Sequence, residues 1–254
     1  AAPEAVPERP ALAIGELAAR SERLAALRPR AAERMRRPFS AAASEEAHRL
    51  LDEAALEAAF GDGAGEEVAA ARRAREAARE AAADAGTAVH RALEALELDG
   101  DLAAALARQR ALLPAYLDAL SASGTRDAAL ARAARVLDGF AASALFERLS
   151  EIAPHVVARE VAVLLPPDGA AEAPVGFVSG AIDLVYRDPR TGDLVVADYK
   201  TDEVASDAEI AARAGAYAAQ GAVYVRALRE ALGLPAPPRF ELWFLAAARI
   251  VTPL

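Results

Sequence analysis

Apolar and polar positions divide the chain into two regimes. From residue 11 to about residue 150, alanine and leucine are interspersed with arginine and glutamate, all good helix formers, so this part reads as helix. Helices are expected over 11–37 with an interruption at Pro29, from a Ser40 or Ser44 cap to about Phe60, over 66–98 after the turn GDGAG, over 101–120 across Pro114, and over 126–149. At residue 154 the character changes. HVVAREVAVLLP, FVSGAIDLVYRD and DLVVADYKT read as three strands, the last two joined by the turn chemistry of DPRTGD. A helix over 207–232, ended by Pro235, Pro237 and Pro238, and one or two strands in RFELWFLAAARIV complete the pattern. A helical block followed by β-β-β-α-β is an α/β domain with a large N-terminal helical extension. Residues 1–10 read as a linker and 11–254 as one domain, helical to about 150 and α/β from about 151.

Composition narrows the classes. The 254 residues are enough to bury a core, and no strongly apolar run reaches the length of a membrane span. No charged start precedes an apolar stretch and cleavage site, so no secretory signal is read, and a cytoplasmic location fits. The absence of cysteine excludes disulfides, cysteine-bound zinc and iron–sulfur clusters. The net charge of −9 weighs against coating nucleic acid by bulk electrostatics, while leaving room for a local basic groove or for carboxylates gathered about a cation. Seven arginines crowd residues 20–37 against only Glu22 and Glu33; they form either a solvated helix face or a surface for phosphates. The chain begins at Ala1 with Pro3, Pro7 and Pro10 close behind, which reads as a segment of a longer polypeptide.

One residue stands out chemically. Lys200 is the single lysine among 29 basic residues. It lies in the hairpin FVSGAIDLVYRDPRTGDLVVADYKTD, whose turn is centred between Arg190 and Thr191. Paired positions then share the sum 381, which sets Asp183 opposite Asp198. Period-two alternation puts Lys200 on the Asp198 face and turns Tyr199 away. Two facing carboxylates repel, and a hard cation such as magnesium or manganese would remove that cost. A compact ammonium beside such a cation can orient a water or stabilise developing phosphate charge, which a forked guanidinium does less readily. The plainer alternative is an Asp–Lys ion pair on a surface hairpin.

Asp183 followed by Asp198-Tyr199-Lys200 resembles the PD-(D/E)XK nuclease motif. GAIDLVY with VVADYKT is similar to its RecB/AddA branch, the nuclease domains of exonuclease V-like helicase–nucleases. That branch carries an upstream glycine four residues before a histidine, here Gly86 and His90 in GTAVH, and a Q-x-x-x-Y pattern, here Gln220 and Tyr224 in YAAQGAVY. The likeness runs from about Gly86 to Leu245; PFSAAAS resembles the segment that opens the nuclease domain in AddA-like chains. It implies a restriction-endonuclease-like core, a mixed central sheet flanked by helices. It implies that His90, Asp183, Asp198 and the Tyr199 carbonyl hold Mg2+, with Mn2+ as a substitute, and that Lys200 positions the attacking water. Gln220, Tyr224 and Tyr217 would face DNA, although core packing is a second reading for the tyrosines. Glu160 and Thr201 would support the site, and Gly86 would let its helix approach the sheet closely. His48 and His155 read as structural.

The implied activity is hydrolysis of DNA, from single-stranded ends, to 5′-phosphate products, as part of a helicase–nuclease in break repair and recombination. The sequence holds no G-x-x-x-x-G-K-[ST], so an ATP-driven motor would lie on the parent chain or a partner subunit. A free-standing exonuclease and an inactive DNA-binding module on the same fold are the alternatives.

Overall fold

The computed structural model describes residues 66–121, 124–165 and 177–253, with the short strand β1 (Ser40–Ala42) and positions 22 and 25. Within PFSAAAS, Ser40–Ala42 form the strand β1, so Ser40 does not cap a helix, which corrects that expectation; the rest of that segment, the other expected helical residues before residue 61 and the rest of the arginine-rich stretch lie outside the described residues. Contacts divide the chain into a larger compact unit, residues 42–165 and 178–254, and a smaller one, residues 1–41 and 166–177.

Among the described residues of the larger unit, four helices come first: α1 (Glu66–Glu94), α2 (Leu102–Asp118), α3 (Arg126–Ala141) and α4 (Ala144–Ile152). In α1 the C-terminal half packs. Ala81, Ala85, Ala88, Val89, Ala92 and Leu93 form a buried stripe at helical spacing, whereas residues 71–80 are exposed. Asp101 caps α2 by accepting from the Ala104 N–H at 3.0 Å. The single helix expected over 126–149 is two. Ser143 is extended (φ −111°, ψ 160°), and its hydroxyl donates to the Phe140 carbonyl at 2.7 Å, closing α3 before α4 begins.

Five strands follow: β2 (Val156–Leu165), β3 (Phe177–Arg187), β4 (Leu194–Lys200), then β5 (Arg239–Phe244) and β6 (Arg249–Val251) after the helix α5 (Asp207–Leu232). β2, β3 and β4 are successive antiparallel neighbours; β4 pairs parallel with β5, and β5 antiparallel with β6. The helix α5 is the crossover that a parallel β4–β5 pair requires. Ser206 caps its start, accepting from the Glu209 N–H at 3.3 Å, and Gly233 ends it at φ 61°. The sheet has an apolar layer on each face. Leu184, Tyr186, Val195, Ala197, Tyr199 and Trp243 pack with α1–α4, while Val185, Val196, Phe240, Leu242 and Phe244 pack with α5. This is the mixed sheet flanked by helices that the resemblance implies, within the α/β order that the pattern predicts.

Gly221 shows how closely α5 is drawn in. A Cβ there would lie 2.2 Å from Phe240 Cε1, so only glycine allows this contact between helix and sheet.

Candidate active site

The hairpin register is the expected one. Leu184↔Ala197, Val185↔Val196, Tyr186↔Val195 and Arg187↔Leu194 all follow the constant sum. The ladder stops one pair short of Asp183 and Asp198, so these two are not a strand pair, which corrects the facing pair expected from the turn. The reason is local. Asp183 Oδ2 accepts the Tyr199 N–H at 2.6 Å, taking a backbone donor that a ladder would have used. Alternation also slips here, because Ile182 packs on the α5 side with Val185, while Leu184 and Tyr186 face α1–α4.

Asp183 thereby turns toward α1. Its Oδ1 lies 3.2 Å from His90 Nδ1. Gly86, one turn before His90, brings α1 against the chain just after Lys200: a Cβ there would sit 3.0 Å from Thr201 Oγ1. Glu160 reaches the same spot from β2. One ligand atom from each of His90, Glu160 and Asp183 lies within 4.8 Å of the others. Glu160 has φ 49°, a left-handed conformation in the middle of a strand, and its neighbours Arg159 and Val161 keep ordinary register with Leu184 and Ile182. Arg159 donates to the Leu96 carbonyl at 2.5 Å, tying β2 to the end of α1.

Asp198 and Lys200 lie on the α5 face, as alternation requires, and Tyr199 points to the opposite layer, where its ring meets Trp243 edge-on at 5.9 Å. Lys200 is only 8% exposed. Its Nζ sits 2.6 Å from Asp198 Oδ2, donates to Gln220 Oε1 at 2.9 Å and lies 3.9 Å from the Tyr217 ring centre. Gln220 in turn donates to the Tyr224 hydroxyl at 2.8 Å and approaches Asp198 Oδ1 at 3.5 Å. Gln220, Tyr217 and Tyr224 are therefore buried around Lys200, not presented on an open face. Their polar groups are engaged within the protein, which agrees with the core-packing reading of the tyrosines.

Charge accumulates at this end of the sheet. Burial pushes the Asp198 carboxyl up to about 6, with Lys200 opposing and Asp183 adding to the rise. Burial, followed by the Asp183 charge, raises Glu160 to about 7. Burial would lower His90, but the Asp183 carboxylate outweighs it and lifts the imidazole to about 8. Asp198 Oδ2 has the Lys200 charge nearby but no hydrogen-bond donor in acceptable geometry. An imidazole and two carboxylates, from His90, Glu160 and Asp183, converge closely enough to fit a hard divalent cation, while Asp198 stands outside that set, against the Lys200 ammonium.

Sequence reasoning gave Glu160 only a supporting place. The signal that would have raised it, its position opposite Asp183, needs the β2–β3 register, and the long 166–176 connection leaves that register unspecified in the sequence. Gly221 was also passed over, although glycine after Gln220 in mid-helix marks a close approach.

At the far end of the same hairpin, Asp188 is buried and holds the turn. It accepts from Arg148 Nη2 at 3.0 Å, from Arg239 and from the Arg190 N–H at 2.9 Å. These partners and Arg190 hold its carboxyl well below the usual range. Glu241 beside it accepts from the Tyr186 hydroxyl at 2.7 Å and the Trp243 indole at 2.9 Å.

A mixed sheet carrying a histidine, converging carboxylates and a buried lysine at one end is the arrangement of the metal-dependent nucleases built on a restriction-endonuclease-like core. The chain belongs to the PD-(D/E)XK nuclease superfamily, whose family model matches residues 66–252. A search of curated proteins finds no match. Among the described residues, no helix is long and apolar enough to cross a membrane.

Proposed function

We propose that this chain is a magnesium-dependent deoxyribonuclease of the RecB/AddA type, acting on single-stranded ends and leaving 5′-phosphates. The observation that carries the reading is the burial of the only lysine between Asp198, Gln220 and the Tyr217 ring, next to the His90–Asp183 pair. His90, Asp183 and Asp198, with the Tyr199 carbonyl, would hold the cation. A bound cation polarises a phosphate and lowers the pKa of water. Lys200 would orient that water: its ammonium is fixed by three neighbours, so little ordering is left for the moment of reaction. Gln220 holds Lys200 with its carbonyl oxygen and Tyr224 with its amide, which sets the amine's direction. The order of Gly86–His90, Asp183, Asp198–Lys200 and Gln220–Tyr224 along the chain supports the RecB/AddA branch, and with it a helicase in the parent chain or a partner subunit.

Digestion of end-labelled single-stranded DNA tests this, with Mg2+, with Mn2+ and with EDTA, beside Lys200→Ala and Asp183→Ala. Metal-dependent cleavage lost in both variants is the expected result. A parent chain that binds DNA but never cuts it, with or without a helicase partner, would favour the inactive module.

A further inference from the structure

We infer that Glu160 is a direct ligand of the cation, completing with His90 and Asp183 a three-point set that the D…D-x-K motif does not contain. The inference rests on the metal-dependent reading above. The ligand atoms of His90, Glu160 and Asp183 come from three separate elements, α1, β2 and β3, yet lie within 4.8 Å of one another. One ion with ligand bonds of about 2.0–2.6 Å spans such a gap.

The backbone adds a reason to assign a role to Glu160 itself. Its φ of 49° interrupts a strand whose flanking residues are in register, and glutamate has no intrinsic preference for that region. Strain of this kind persists where surroundings over-determine it, and it clusters at ligand sites. Here the anchors are visible. Arg159 is tied to the carbonyl end of α1, and Val161 is paired with Ile182 of β3, so the left-handed turn at Glu160 is pinned between the two elements that carry His90 and Asp183. With Asp198 Oδ2 only 2.6 Å from the Lys200 ammonium, the second motif carboxylate shares its charge with the amine. Glu160 offers a carboxylate oxygen on the side where the His90 and Asp183 ligand atoms converge.

The test uses Mn2+ alone as probe, with free ion counted by electron paramagnetic resonance and thermal midpoints taken in EDTA and in Mn2+. The proteins are the parent, Glu160→Gln, Glu160→Gly and Asp183→Asn. The expected result is Mn2+ affinity weaker by about tenfold or more in both Glu160 variants, the scale at which even outer-shell partners of a metal act. The midpoint gain from Mn2+ should shrink in step. Glu160→Gly should also melt higher than the parent in EDTA, because glycine relieves the left-handed strain; it serves as the deciding variant if Glu160→Gln folds poorly. Parent-like Mn2+ affinity in the Glu160 variants, alongside lost affinity in Asp183→Asn, overturns the inference and leaves the proposed function standing. No Mn2+ uptake by the parent itself overturns both.

Discussion

Gly221→Ala is the substitution whose sign the fold fixes most sharply. In an exposed helix interior, replacing glycine with alanine gains up to about 1 kcal/mol. At Gly221 the new Cβ would meet three atoms of one ring, Phe240 Cε1, Cδ1 and Cζ, at 2.2, 2.4 and 2.7 Å. Phe240 is 1% exposed and enclosed by the layer under α5, so its ring has nowhere to swing. Overpacking of this kind costs about 1–3 kcal/mol, and contacts this short sit at the upper end. Net destabilisation of about 2 kcal/mol should follow, lowering the thermal midpoint by roughly 4–8 °C for a chain of this size. Gly139 and Gly215 are the controls. Both are exposed, lie within helices and have open space where a Cβ would go. Gly139→Ala and Gly215→Ala should each melt higher, by about 2–4 °C. Thermal unfolding of the three variants in one buffer decides it. If Gly221→Ala melts at or above the parent, the close seating of α5 on β5, and with it the placement of Gln220 beside Lys200, is misjudged.

Three further outcomes follow from the same geometry. In metal-free buffer, His90 (about 8 against 6.5), Glu160 (about 7 against 4.5) and Asp198 (about 6 against 3.8) all bind protons more tightly when folded. Their contribution is complete below the unfolded values and lost as pH rises through the folded ones, so the urea midpoint in EDTA should fall between about pH 4 and pH 8, and Mg2+ should flatten that fall; a midpoint rising with pH across this window contradicts the assignment. Asp188→Asn removes a buried charge that Arg148 and Arg239 share and should cost about 3–5 kcal/mol in denaturant unfolding, with a loss under 1 kcal/mol showing the turn to be held otherwise. Lys200→Arg keeps the charge but must fit a forked guanidinium between Asp198, Gln220 and the Tyr217 ring; cleavage should fall about a hundredfold or more while DNA binding is retained, and parent-like rates would mean that charge alone suffices.

Legibility of the sequence followed the length of each connection. The β3–β4 turn is short, so its centre set the register, and the observed ladder keeps it. Alternation then put Tyr199 in one layer and Asp198 and Lys200 against α5, as found. What failed was the last pair. Nothing in the local pattern shows that the Asp183 carboxylate takes the Tyr199 N–H and rotates toward His90. Glu160 was hidden for a different reason, since its partner strand lies across a long loop and its positive φ is a tertiary effect. Gln220 and Tyr224 came with the Q-x-x-x-Y pattern of the resemblance, and neither that pattern nor the seven-residue spacing of Tyr217 and Tyr224 distinguishes a helix face that meets substrate from one that closes over a lysine. The break at Ser143 was masked because alanine and leucine continue on both sides of it.

The most direct test of the central claim is cleavage of single-stranded DNA in water enriched in oxygen-18, with the phosphate ends of the products read by mass spectrometry. With Mg2+ the parent chain should place one labelled oxygen on each new 5′-phosphate, and Lys200→Ala should yield essentially no product. Unlabelled ends, or parent-level cleavage by Lys200→Ala, would contradict hydrolysis by a water that Lys200 positions.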